Sequence, residues 1–279
     1  MLAIISPAKK LNFETEAPPG KHSQPEFLEQ SEVLVEMARG LSRRDLVRTM
    51  KLSDKLADLN FQRFRAFSTP FTTANAKQAA LVFNGDTYVG LDAGRMDRDD
   101  MAFAQDHLRI LSGLYGLLRP LDLIQPYRLE MGARFRPPHG GDLYGFWDGR
   151  LTAAVNEVIT KQPDSSVINL ASKEYFKAVR VSDLKGPIIT PVFKEVKSGV
   201  AKVLGMFAKR ARGAMARSII KASEHGAELI DRLLAFSRKQ SLRPKTIDLG
   251  LLCSEMNGLL GRSLGEAIKI DLITEHRRP

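Results

Sequence analysis

Leu2-Ala3-Ile4-Ile5-Ser6-Pro7-Ala8-Lys9-Lys10 is the stretch on which the fold turns. Four apolar residues broken by a proline predict a short buried strand, because Pro7 lacks a ladder donor and restricts the residue before it. The strand delivers a loop carrying Lys9 and Lys10. Val167-Ile168-Asn169-Leu170 and Ile188-Ile189-Thr190-Pro191-Val192-Phe193 read as two more strands. Ala79-Ala80-Leu81-Val82-Phe83 reads as another, stopped at Asn84-Gly85-Asp86. Lys202 to Phe207 reads as a fifth, paired with the preceding strand across Ser198-Gly199. Helical patterns lie between them at 101–117, 148–161 and 173–179. Strands interleaved with helices, plus one hairpin, predict an α/β or α+β fold with a mixed sheet in a single compact domain.

Working outward, the breaker-rich residues 14–25 predict a loop. Phe27, Leu28, Val33, Leu34, Val35 and Met37 then recur at helical spacing until Gly40. Ser42 is placed to cap a second helix through Met50, and Ser53 a third from Asp54 to about Phe64. The short connection Lys51-Leu52-Ser53 makes these a helical hairpin. The chain changes character near Lys221. Ala222 to Leu234 and Leu249 to Leu260 are helical patterns, which divides the chain into a body, 1–220, and a separate helical tail, 221–279.

With 279 residues, 43% hydrophobic and 27% charged, the chain has apolar material for a sizeable core, which excludes disorder over its whole length. No apolar stretch approaches the roughly 18 residues of a membrane helix. Cys253 is the single cysteine, the opening apolar run is too short for a secretory signal, and a cytoplasmic location is expected. The formal charge of +10 favours a polyanionic partner. Much of that excess sits between Gly186 and Lys221, where Lys194, Lys197, Lys202, Lys209, Arg210, Arg212, Arg217 and Lys221 face Glu195 alone.

Standard catalytic signatures are absent: no Walker A sequence, no G-x-G-x-x-G, no H-E-x-x-H and no C-x-x-C pair. The five histidines are scattered, so neither a metal site nor a cofactor is expected. Asp92, Asp97, Asp99 and Asp100 read as a solvated acidic turn capping a helix near Met101, with a hard cation as the lesser alternative. Asn84-Gly85-Asp86 reads equally as a plain turn and as the seat of a catalytic Asp86. Arg109, Arg119 and Arg128 flank the bend Gly113-Leu114-Tyr115-Gly116. Guanidinium groups there either bind phosphate or pair internally with Asp106, Asp122 and Glu130. The bend is set aside as a phosphate loop because it follows a helical pattern. Lys209, Arg210 and Arg212 beside Gly213 are the stronger anion signal, since a small residue permits close backbone approach.

Several of these strings, Ser6-Pro7-Ala8-Lys9, Phe83-Asn84-Gly85-Asp86-Thr87-Tyr88 and the run from Phe103 to Gly132, resemble the YaaA family of bacterial peroxide-stress proteins. Asn169 to Val179 and Lys209 to Arg217 belong to the same set, and the resemblance covers residues 1 to about 220. It implies a cytoplasmic protein of the peroxide stress response that limits iron-dependent oxidative damage. It also implies the family's compact mixed fold, called the cantaloupe fold, with a positively charged cleft and a DNA-binding helix-hairpin-helix motif. That motif maps onto Leu41 to Phe64, with Lys51 and Lys55 beside the second helix start, although Lys51 and Ser53 stand where such hairpins usually carry glycine. The implied DNA-facing residues are Lys9, Lys10, Lys51, Lys55, Arg109, Arg119, Arg128, Lys173, Lys177, Lys209, Arg210, Arg212 and Arg217.

Residues 222–273 resemble the second dimerisation helix of a sensor histidine kinase and the start of its ATP-binding domain. His225 lies past the acceptor position, so no kinase activity follows. The expected function is sequence-tolerant binding of duplex or branched DNA, with no membrane partner. The alternative is an enzyme acting on a nucleotide or nucleic-acid phosphate, with Asp86 or Asp106 as acid, base or metal ligand. Scattered histidines without a cysteine cluster make any effect on iron indirect.

Overall fold

The computed structural model describes residues 1–15, 20–137, 141–197, 200–202, 205–236 and 268–274. Its centre is β1 (Leu2–Ile5), whose four residues are all buried, as expected for a strand covered on both faces. Three helices follow: α1 (Leu28–Arg39), α2 (Arg43–Met50) and α3 (Asp54–Ala66). Ser42 caps α2 in a reciprocal box with Asp45. Lys51 closes α2 in the left-handed conformation at φ 51°, so a lysine occupies the geometry that glycine adopts without strain. Leu46, Met50, Leu52, Ala57 and Phe64 are buried, and α2 and α3 pack against each other.

Next come β2 (Lys77–Gln78), α4 (Ala79–Val82), α5 (Asp86–Leu91) and α6 (Arg98–His107), then β3 (Leu108–Ser112), β4 (Gly116–Leu118) and β5 (Leu123–Ile124). The chain continues through α7 (Leu143–Trp147), α8 (Arg150–Thr160), β6 (Val167–Leu170), α9 (Lys173–Phe176), β7 (Ile188–Lys197), β8 (Val200–Lys202), α10 (Gly205–Phe236) and β9 (Ile268–Thr274). The main sheet runs β4-β3-β1-β6-β7-β8, with β9 also on β7, while β2 and β5 form a separate antiparallel pair. β1 is parallel to β3 and β6, and β6 to β7; β4, β8 and β9 join antiparallel. The sheet is therefore mixed, as expected. α10 packs along α5 and against α6, β1, β6 and β7.

Three local expectations are corrected. Ala79–Phe83 is one helical turn, not a strand: its alanine-led start lacks β-branched residues, and the Ala79 and Ala80 N–H groups bond to Asp122 and Pro120 carbonyls. The helix expected over 101–117 ends at His107, because Leu108–Ser112 pairs with β1 in the register Ala3 with Leu108 and Ile5 with Ile110. Leu108, Ile110 and Leu111 fit either period, and the sheet decided it. The last strand of the expected hairpin lies earlier, at Val200–Lys202, and Gly205 already belongs to α10.

The bend at Gly113–Gly116 consequently follows a strand after all. It is no phosphate loop: Leu114 and Tyr115 are completely buried, and the Trp147 indole donates to the Gly113 carbonyl at 3.0 Å. Asn84-Gly85-Asp86 is the entry to α5, with Gly85 at the N-cap position. The helical pattern from Ala222 is the continuation of α10, which runs unbroken through residue 221. The pattern at 249–260 lies outside the described residues. No helix among the described residues is long and apolar enough to cross a membrane.

Candidate functional site

From β1 the chain moves to β3 on one side, and from β6 to β7 on the other, so the connections diverge at the β1/β6 boundary. In open sheets with parallel strands, ligand sites gather at the carboxyl ends of strands at such a switch point. Ser6 and Ser172, each following its strand, meet there: the Ser172 N–H donates to Ser6 Oγ at 2.8 Å, and Ser6 Oγ donates to Ser172 Oγ at 3.3 Å. The Tyr88 hydroxyl donates to the Ser6 carbonyl at 3.0 Å, tying α5 to this edge. Tyr127 shares a 2.7 Å hydrogen bond with Ser112. Burial, the largest cause in each case, pushes the Tyr88, Tyr127 and Tyr175 hydroxyls above the ordinary tyrosine range. These phenols are neutral hydrogen-bonding groups at neutral pH.

The rim of this edge is charged. Lys9 pairs with Glu130 at 2.9 Å, and Arg128 reaches the same carboxylate at 3.0 Å. Glu174 accepts from the Gly132 N–H at 3.0 Å, while Lys173 is exposed and Lys177 lies 4.6 Å over the Tyr144 ring. Lys10 is exposed, with its carbonyl accepting from the Asn84 N–H at 2.9 Å. Asp86 is half-buried in the first turn of α5, next to the loop that follows β1.

The structure separates the other expected residues. Asp106 is exposed on α6, one residue before His107, whose Nδ1 contacts the Met1 carbonyl, so it sits at the opposite end of the sheet from Asp86. Arg109 is buried, and its guanidinium donates to the Gln105 and Leu108 carbonyls, both at 2.8 Å. Burial, more than neighbouring Arg119, holds its pKa below the usual guanidinium value. Arg119 pairs at 3.0 Å with Asp122, a fully buried carboxylate raised by desolvation and opposed by hydrogen bonds from Ser23 and Arg119. Arg217 pairs with Asp92 at 2.5 Å. Five expected DNA contacts, Lys9, Arg109, Arg119, Arg128 and Arg217, therefore have partners inside the protein.

The cations around the α2–α3 turn are different. Lys51 and Lys55 are exposed and, among the described residues, have no ion pair. Arg44, Arg134 and Arg136, which the sequence reading passed over, are also exposed without one, and the Arg134 N–H donates to the Thr49 carbonyl, placing that loop against the end of α2. Lys209 and Arg210 are exposed at the start of α10, and half-buried Arg212 is held below its ordinary pKa by desolvation.

Sequence reasoning also missed Lys77. It is only 8% exposed, and its ammonium donates to the Asn12 carbonyl at 3.1 Å and to the Thr15 carbonyl. Burial lowers its pKa. Lys77 lines a cleft of about 430 Å³ with Asn84, Tyr88 and Asp92. A lone lysine in a two-residue strand carries no sequence signal, since only the fold-over of residues 12–15 buries it.

No group of three or more His, Cys, Asp or Glu side chains able to hold a metal ion occurs among the described residues. The acidic turn serves the helix instead. Asp97 caps α6 in a reciprocal box with Asp100, and Asp100 takes Lys221 at 2.5 Å.

Residues 1–240 match the model of a family described as peroxide stress protein YaaA. A protein of the UPF0246 group from Alteromonas mediterranea is 57% identical over 221 residues, covering 79% of this chain and 85% of the relative. One from Saccharophagus degradans is 54% identical over 221 residues, covering 79% and 86%, and one from a Shewanella species is 52% identical over 236 residues, covering 85% and 91%. The family match passes residue 220, and these matches give the histidine-kinase resemblance of 222–273 no support.

Proposed function

Because the chain belongs to the peroxide stress protein YaaA family, we propose that it acts in the peroxide stress response by binding DNA, duplex or branched, with little regard for sequence. The observation that carries this reading is the set of cations left without acid partners at the α2–α3 turn: Lys51, Lys55 and Arg134, with Arg44 and Arg136 nearby. In this reading α2 and α3 are a helix-hairpin-helix element. Ser53 makes no side-chain cap at α3, so the first-turn N–H groups and the helix dipole face a phosphate directly. Lys9, Lys10, Lys173, Lys177, Lys209 and Arg210 extend the attraction along the carboxyl edge of the sheet. Coating DNA limits iron-dependent damage without any iron site of the protein's own. A cytoplasmic setting follows from the same reading.

The enzyme alternative keeps one supporting feature. Asp86 lies half-buried against the loop after β1, beside the switch point, with no hydrogen bond to its carboxylate among the described residues. Asp86→Asn separates the two readings, sparing DNA affinity and abolishing turnover if a reaction exists.

The test is titration of a labelled duplex and a four-way junction at two salt concentrations, on protein shown to unfold cooperatively. Affinity that falls steeply with salt and varies little with sequence is the expected result. A folded protein that binds neither DNA would overturn the proposal.

A further inference from the structure

The cleft over α4 and α5 is a separate feature from the charged rim, and its chemistry is specific. Ala80, Leu81 and Val89 supply apolar wall. Its polar lining is largely spent within the protein: the Asn12 and Thr15 side chains bond each other and the Tyr88 hydroxyl donates to the Ser6 carbonyl. Lys77 is held by two backbone carbonyls, which leaves one of three ammonium N–H donors for an occupant. Asn84 is fixed by its N–H bond to Lys10, yet its side-chain amide makes no hydrogen bond among the described residues. Asp92 is already paired with Arg217, so it brings no uncompensated charge.

One donor cation, one amide offering donor and acceptor, and flat apolar walls do not suit a phosphate, which needs several converging donors. They suit a neutral, planar ring with a polar edge. Asn and Lys are the side chains that read base edges, pairing with a ring nitrogen and its exocyclic amine or carbonyl. A volume of about 430 Å³ accommodates a nucleoside and lies within the usual range of small-ligand pockets. Exposed Lys10, adjoining Asn84 through the backbone, stands where an attached phosphate would lie.

We propose that the cleft between residues 12–15, α4 and α5 takes up a single nucleobase, with Asn84 and Lys77 reading its edge. The base comes from bound DNA by eversion or from a free nucleoside. The first source rests on the DNA-binding reading, and the second does not.

The experiment uses the full chain and a duplex bearing 2-aminopurine opposite a mismatch, with an end label reporting total binding. Saturation-transfer NMR with free deoxynucleosides runs alongside. Gly94→Trp fills the cleft, because a Cβ at Gly94 meets nothing within 4 Å and the residue lines the cleft. Asn84→Ala is the second variant, removing the reading group without added bulk. A several-fold rise in 2-aminopurine fluorescence on binding, lost in either variant while end-label affinity is kept, supports eversion into the cleft. Saturation transfer to nucleosides that weakens about tenfold in the variants, the equivalent of one bidentate base contact, supports the free source even if DNA fails to bind. DNA binding with neither a fluorescence rise nor saturation transfer overturns the cleft proposal and leaves the DNA reading standing. Loss of all three signals overturns both.

Discussion

Two basic regions of the molecule meet opposite fates. In α10, Arg217 and Lys221 are taken up by Asp92, Asp97 and Asp100, carboxylates more than a hundred residues earlier in the chain. At the α2–α3 turn, Lys51, Lys55 and Arg134 have no ion pair among the described residues. The α10 segment carries the denser run of cations, yet its Arg217 and Lys221 lock α10 to the end of α5 and the start of α6. A charge run therefore reports a surface only after its distant acid partners are known.

The sharpest way to break this comparison is at the helix seam. Gly213 presses against the Thr87 carbonyl and the Leu91 N–H, so the methyl of Gly213→Ala would lie within their van der Waals radii, against backbone that cannot swing aside. A loss of about 3 kcal/mol is expected in urea unfolding, since α10 must move off α5. An unchanged midpoint would mean that α10 does not pack there.

Next in size is the charge lock. Asp100 is fully buried, with Oδ2 on Lys221 and on the Asp97 N–H, and with Oδ1 unpartnered. Asp100→Asn removes the charge pair and should lower stability by about 2 kcal/mol without weakening DNA binding of the folded fraction. A DNA defect at full stability would move α10 into the binding surface.

Asp97→Ala removes the α6 cap and should lower the melting temperature by less than Asp100→Asn does. The Asp97 carboxyl is held below the ordinary carboxylate range chiefly by its hydrogen bond from the Asp100 N–H, which with Lys221 and the Asp99 N–H outweighs the opposing desolvation. Because the folded pKa is the lower one, the cap's contribution is complete above the ordinary carboxylate pKa and disappears as pH falls through the folded value. Wild type and variant should thus converge in stability on acidification, which an acid titration of both melting temperatures checks.

The smallest effect distinguishes the turn. Lys51→Gly relieves a left-handed lysine and should raise stability by up to about 1 kcal/mol while weakening DNA binding. A stability gain with unaltered DNA affinity would remove Lys51 from the interface.

What could be read from residues alone follows from where partners sit. β1, β6 and β7 were legible because short apolar runs bounded by Pro, Asn and Gly leave little choice, and α2 was legible through its Ser42 cap. β3 was not. Leu108, Ile110, Leu111 and Leu114 satisfy a helical period, and only pairing with β1 selects the strand. For the candidate site, Lys51 and Lys55 came from the family resemblance, whose helix-hairpin-helix motif maps onto the hairpin at Leu41 to Phe64. The fates of Arg119 and Arg128 remained open between phosphate binding and internal pairing, and Asp122 and Glu130 settle them in the folded chain. Lys77 and Asn84 share a cleft only because α4 and α5 turn back under residues 12–15.

The central claim is that DNA is held at the α2–α3 turn and not by the ion-paired Arg217 and Lys221 of α10. The most direct measurement is the slope of log affinity for duplex DNA against log salt in wild type, in Lys51→Ala/Lys55→Ala and in Arg217→Gln. The account predicts a slope shallower by about 2 in the double variant, from two lost phosphate contacts, and an unchanged slope in Arg217→Gln. A slope that shallows only in Arg217→Gln would contradict it.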